Sequence, residues 1–262
     1  MDTVSELYKV KNKIVNWKSK LKMQYSNSFK REDTLPYAYP CNNYLEPILS
    51  NVIVRKGLNK FTEKYCNNQI EEIKATSLLA TKDRFPQLYR ILSDCYAALN
   101  VENKPEVYVT SKLRGLNALS IGDDNEPIIL ISRKSVISLP EGELKFMLGH
   151  ELGHILQKNL MCHTIKGLLD NLNNKSDILG PLISDIVDVP LNQWYRCAEY
   201  TSDRAGYLCC NDINCIKSLF DRIGCYNRPS NPYEDYQELS LAHPLIQHRV
   251  REIEKFKKEM IK

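Results

Sequence analysis

Apolar side chains recur every three or four residues along most of this chain, and short β-branched runs break that rhythm only between residues 73 and 132. Val4, Leu7, Val10, Ile14, Trp17 and Leu21 stand at helical spacing among Lys9, Lys11, Lys13, Lys18, Lys20 and Lys22, which predicts a basic amphipathic helix. A stripe this short is expected to dock on its own domain, with a membrane surface or a partner as the alternatives. Pro36 and Pro40 then punctuate a connecting loop. Residues 1–40 read as helix plus connector and 41–262 as one globular domain.

Within that domain the pattern predicts mostly helix over 45–68, a strand over 73–81 and a helix from Phe85 to about residue 99. Three short strands are expected at 106–110, 117–121 and 127–132, with Gly122, Asp123, Asp124 and Asn125 turning the last two into a hairpin. Ser138-Leu139-Pro140-Glu141 reads as a helix start, Ser138 at the cap and Glu141 placed for a capping box. A later helix is expected over 194–206, whereas 178–191 looks irregular and proline-bounded. The fold class is α+β and predominantly helical, with a small antiparallel sheet preceding the helix that follows Glu141.

Composition narrows the function classes. The 43% hydrophobic and 26% charged residues are those of a globular protein. A formal net charge of +4 gives no ground for an obligatory nucleic-acid partner. The first residues lack the basic and apolar regions of a signal peptide, and no window of about 18 residues is free of charge, so neither secretion by that route nor a transmembrane segment is expected. The nine cysteines form no paired framework, and Cys197, Cys209, Cys210, Cys215 and Cys225 include no C-x-x-C pair. Free thiols and a cytoplasmic location are expected.

The chemistry sits in His150-Glu151-Leu152-Gly153-His154. In a helix, residues four apart share a face, so both imidazoles can meet one metal ion while Glu151 reaches the water that the ion activates. With His at roughly 2% and Glu at roughly 6% of residues, chance produces this pattern in well under one chain in a hundred of this length. Catalytic zinc takes a third protein ligand. The metzincin arrangement is excluded, because Gln157 and Leu160 stand where its glycine and third histidine belong. Glu199 and Asp203 lie one turn apart on the later helix, so Glu199 is the expected third ligand. Asp203 is expected to accept the free ring N–H of a ligand histidine.

Three blocks carry a family resemblance: 150–154, then 199–206 (Glu-Tyr-Thr-Ser-Asp-Arg-Ala-Gly), then His243-Pro244 with Arg249 six residues after the histidine. With a looser block at 105–109 and Asn117-Ala118, the chain resembles the zinc metallopeptidases of the HtpX and CAAX prenyl protease type, which are gluzincins. It departs from them at Leu119, where an aromatic is common, and at Leu245, where a second proline is common. The resemblance implies a zincin-like catalytic domain over 41–262, one Zn2+ per chain and a soluble branch of the family, without carrying over a prenyl-protein substrate.

The expected activity is zinc-dependent endopeptidase, with Glu151 as general base. A non-hydrolytic, chaperone-like or regulatory zinc protein is the alternative. The resemblance places His243 near the metal as the donor to the developing oxyanion, as an extra ligand, or as a loop residue without a catalytic role. Arg249 is expected to pair with an acidic side chain of the zinc region. Strand 127–132, taken as a sheet edge, is expected to pair with an extended peptide, which favours flexible or unfolded polypeptides.

Overall fold

Four consecutive aliphatic residues, Ile128 to Ile131, make the strand on which the domain is built, and their side chains are buried on both faces. They belong to a computed structural model that describes residues 35–40, 67–122, 126–158, 160, 180–224 and 243–261, with backbone only for 67–69 and 180–193. The amphipathic helix expected before residue 34 and most of the helical stretch at 45–68 lie outside the described residues.

Chain order is α1 (Asn67–Ala75), β1 (Leu78–Leu79), α2 (Pro86–Ala98), β2 (Glu106–Thr110), β3 (Ala118–Ile121), β4 (Ile128–Ser132), α3 (Arg133–Ser138), α4 (Glu141–Leu156), α5 (Gly180–Cys210), α6 (Ile213–Gly224) and α7 (Ile246–Met260). The strand expected over 73–81 begins as the last turn of α1, and only two residues of it pair, against Val109 and Tyr108. The stretch that looked irregular before 194 is helical backbone from Gly180 onward.

The sheet comes before α4 as expected, but it is mixed rather than antiparallel, in the order β1-β2-β4-β3. From β2 the chain crosses to the far side to form β3, then turns back so that β4 slots between them. β4 therefore runs parallel to β2 and antiparallel to β3. This corrects the expectation that 127–132 is the sheet edge. β4 is an inner strand, and on this side the edge is β3.

Helix α2 starts on Pro86, where a missing N–H costs nothing, and buries Leu88, Ile91, Leu92 and Cys95 at helical spacing. Val107, Val109, Ile129 and Ile131 of the sheet share one core with Leu144, Leu148 and Leu152 of α4 and with Val250 and Ile253 of α7. Each of the fully buried aliphatic side chains contributes roughly 1.5–3 kcal/mol. Ser138 is not the cap of α4, because the short helix α3 uses it as its last residue. Pro140 holds the N-cap position instead, with no side-chain cap. Glu141 turns to Arg90 and Lys145, and their hydrogen bonds hold its carboxyl down at about 2.

Helices α4 and α5 approach at backbone distance. A methyl group on Gly153 would stand 2.7 Å from Ser202 Cα, one on Gly149 2.6 Å from Cys209 Sγ, and one on Gly206 2.7 Å from the Phe146 ring. Residues 35–40 lie along α5: Tyr37 is in the core, the Tyr39 N–H donates to Thr201 Oγ1 at 3.1 Å, and Arg204 donates to the Ala38 carbonyl at 3.0 Å. The Arg204 guanidinium is also stacked between the rings of Tyr39 and Phe256, at 5.0 and 4.7 Å. Cys95, Cys209, Cys210 and Cys215 are free thiols, but Cys197 is disulfide-bonded, against the expectation of thiols throughout.

Two outcomes follow for stability. Gly153→Ala gains up to about 1 kcal/mol of helix propensity and loses more to overpacking, for a net destabilisation of about 1–3 kcal/mol read from the urea midpoint. Glu141→Gln loses under about 1 kcal/mol, because the pair is solvent-screened. The ionised Glu141 contributes above the ordinary carboxylate range and that contribution fades as pH falls toward 2, so the difference between variant and wild type shrinks on acidification.

Candidate metal centre

Helix α4 presents His150 and His154 one turn apart, and α5 presents Glu199 and Asp203 in the same way across the close crossing. His154 Nε2 lies 3.1 Å from His150 Nε2. The two oxygens of Glu199 reach 3.2 Å from the first of these nitrogens and 3.6 Å from the second. Among the described residues these three side chains alone form such a group, with ligand atoms all within 4.8 Å of one another. His154 and Glu199 are buried, at 6% and 2% exposure.

Protonation follows from the partners. The His150 Nδ1–H donates to Asp203 Oδ1 at 3.0 Å, which leaves the Nε2 lone pair aimed into the cluster. Arg249 clasps Asp203 with two bonds, Nε to Oδ2 at 2.8 Å and Nη2 to Oδ1 at 2.6 Å. The same guanidinium stacks on Phe220 at 4.9 Å. Burial alone would raise the Asp203 carboxyl, but the Arg249 charge outweighs it and the group stays ionised below its usual range. Burial would likewise lower His150, and the Asp203 hydrogen bond and the Glu199 charge reverse that and raise it. Glu199 is pulled well below the carboxylate range, because burial is overcome by the His154 charge and hydrogen bond.

The donor chemistry fits a metal ion. Two imidazole nitrogens and a buried carboxylate point at one another, an arrangement that calls for a proton or a metal cation shared among them. Two nitrogens and one oxygen, with a carboxylate orienting one imidazole, is a donor set that suits zinc.

Glu151 is also buried, and its Oε2 accepts the Ser120 N–H of β3 at 2.7 Å. His243 stands at the exposed rim just before α7, its Nδ1 3.3 Å from Glu199 Oε1 and its side chain 76% exposed. It is not among the three clustered residues. Arg249, from the first turn of α7, reaches the acidic pair as expected.

Two participants escaped the sequence reading. Gln157, noted only for excluding the metzincin spacing, points its amide at Gly153 O (2.9 Å), Ala198 O (3.2 Å) and Ser202 Oγ (3.0 Å), tying the end of α4 to the turn of α5 that carries Glu199. The Ser120 N–H is a backbone group, which no residue pattern announces.

Comparison with known proteins agrees with this geometry. The model of peptidase family M48 matches residues 82–257. The chain is 26% identical over 235 residues to the plastoglobule-localized metallopeptidase 48, chloroplastic, of Arabidopsis thaliana, covering 78% of this chain and 68% of that protein. It is 24% identical over 234 residues to a protease HtpX homolog of Caldanaerobacter subterraneus, covering 71% of this chain and 78% of that protein. No solved structure matches it significantly. The first of these relatives is named for a plastoglobule location. In this chain no helix among the described residues is long and apolar enough to cross a membrane. With two thirds of its length matched by the family model and a His-His-Glu cluster at the centre of that match, the chain belongs to peptidase family M48, the metal-dependent proteases of the HtpX type.

Proposed function

We propose that this chain is a zinc-dependent endopeptidase, with one ion held by His150, His154 and Glu199 and with Glu151 as the group that moves the proton. The observation that carries the reading is the convergence of those three side chains beside a buried Glu151. Zinc, when bound, polarises the scissile carbonyl and acidifies the attacking water. Glu151 takes a proton from that water and passes it to the leaving amine, so that one carboxylate serves as base and then as acid. Asp203 keeps His150 in the tautomer with its lone pair on Nε2, and Arg249 keeps Asp203 ionised.

His243 is assigned the stabilisation of charge on the carbonyl oxygen, since it lies at the rim and not within the three-residue cluster. The substrate is a polypeptide. A flexible or unfolded segment suits the site because the strand beside Glu151, β3, is the sheet edge among the described residues and is able to pair with an extended backbone.

Cleavage of casein by the zinc-loaded chain tests the reading. Glu151→Gln is expected to lower kcat by at least about 10³-fold while zinc content stays at one per chain, and undiminished turnover would sink the assignment. His243→Ala is expected to lower kcat about 10²-fold with zinc retained. Asp203→Asn is expected to weaken zinc binding about 10–100-fold in competition with a chromogenic chelator; unchanged affinity would remove Asp203 from the site.

A further inference from the structure

The general base is gripped by the backbone of the sheet rather than by a side chain. Asn117 O accepts the Ser132 N–H at 2.9 Å, which makes 117, 119 and 121 the residues whose backbone groups face β4. Ala118 and Ser120 alternate with them, so their N–H and C=O groups face the outer edge. At that edge the Ser120 N–H meets Glu151 Oε2 at 2.7 Å, and both residues are buried.

This placement depends on register. A slip of β3 by one residue would turn the Ser120 amide toward β4 and bring a neighbouring residue, with its side chain on the other face of the sheet, to Glu151. Two fully buried serines oppose such a slip at the start of the strand. Ser132 Oγ donates to Gly115 O at 2.8 Å and caps α3 by accepting the Ser135 N–H at 3.0 Å. Ser135 Oγ accepts the Asn117 N–H at 2.8 Å and lies 2.9 Å from Ser132 Oγ. The residues just before Ala118 are thus tied to the helix that follows β4.

We propose that the Ser120 backbone N–H is a positioning group for catalysis: it holds Glu151 by Oε2, leaves Oε1 to exchange the proton, and is itself held in register by Ser132 and Ser135. The proposal rests on Glu151 being the proton carrier. It also divides the outer edge of β3 between two tasks, because the Ser120 N–H is spent on the base while the Ala118 N–H and C=O face the same way toward a pairing peptide.

Two measurements test it. In the metal-free chain, Glu151→Ala is expected to speed hydrogen exchange of the Ser120 amide by at least about tenfold and to leave Leu119 and Ile121, which face β4, protected. Unchanged exchange at Ser120 would overturn the hydrogen bond. In the zinc-loaded chain, L-lactic acid at position 120 replaces the amide N–H by an ester oxygen. Against the Ser120→Ala chain, which has the same side chain and keeps the N–H, kcat on casein is expected to fall about 10–100-fold, with KM within about twofold and zinc retained. An equal kcat in the two chains, or a loss that follows zinc content or thermal unfolding temperature, would overturn the positioning role. Should Glu151→Gln leave cleavage intact, it is instead the assignment of the base that falls, so the two failures are told apart.

Discussion

The close crossing of α4 and α5 is the constraint on which the rest of the site depends. Glycine at 149, 153 and 206 removes the side chains that would hold the helices apart, and the gain is a few ångströms of approach. Those ångströms bring Glu199 within 3.2 and 3.6 Å of the two imidazoles. A wider crossing would leave two histidines facing an unconnected carboxylate.

Such closeness concentrates charge in a buried place. Glu199 and Asp203 are both almost fully enclosed, and an enclosed carboxylate is stable only beside compensating charge or hydrogen-bond donors. Arg249 supplies that for Asp203 from a separate helix, and Asp203 in turn fixes the His150 ring. For Glu199 the partners are the imidazoles and, when present, the cation they share. The α7 helix is therefore part of the site, since it delivers Arg249 and is preceded by His243. Gln157 adds a tie at the other end of the crossing.

The sheet contributes through its topology. Had β4 been the edge, the strand next to Glu151 would have been four aliphatic residues wanting burial on both faces. Folding β4 inward buries them and leaves the shorter β3 outside, where its alternate backbone groups are available to Glu151. One hydrophobic requirement thereby sets which strand borders the active helix.

The chain's own periodicity determined α2, the helix that carries His150, the part of α5 from residue 194, the three strands from 106 to 132, and the pairing of His150 with His154 and Glu199 with Asp203, because residues four apart in a helix share a face wherever that helix lies. Arg249 was also legible, through the family block that sets it six residues after His243. Only the tertiary structure decided that β3 is the edge, that Ser138 closes a short helix rather than capping α4, that Gln157 bridges two helices, and that the Ser120 N–H meets Glu151. Those outcomes turn on which segments meet across the core, and strand order and backbone direction leave no imprint on local residue spacing.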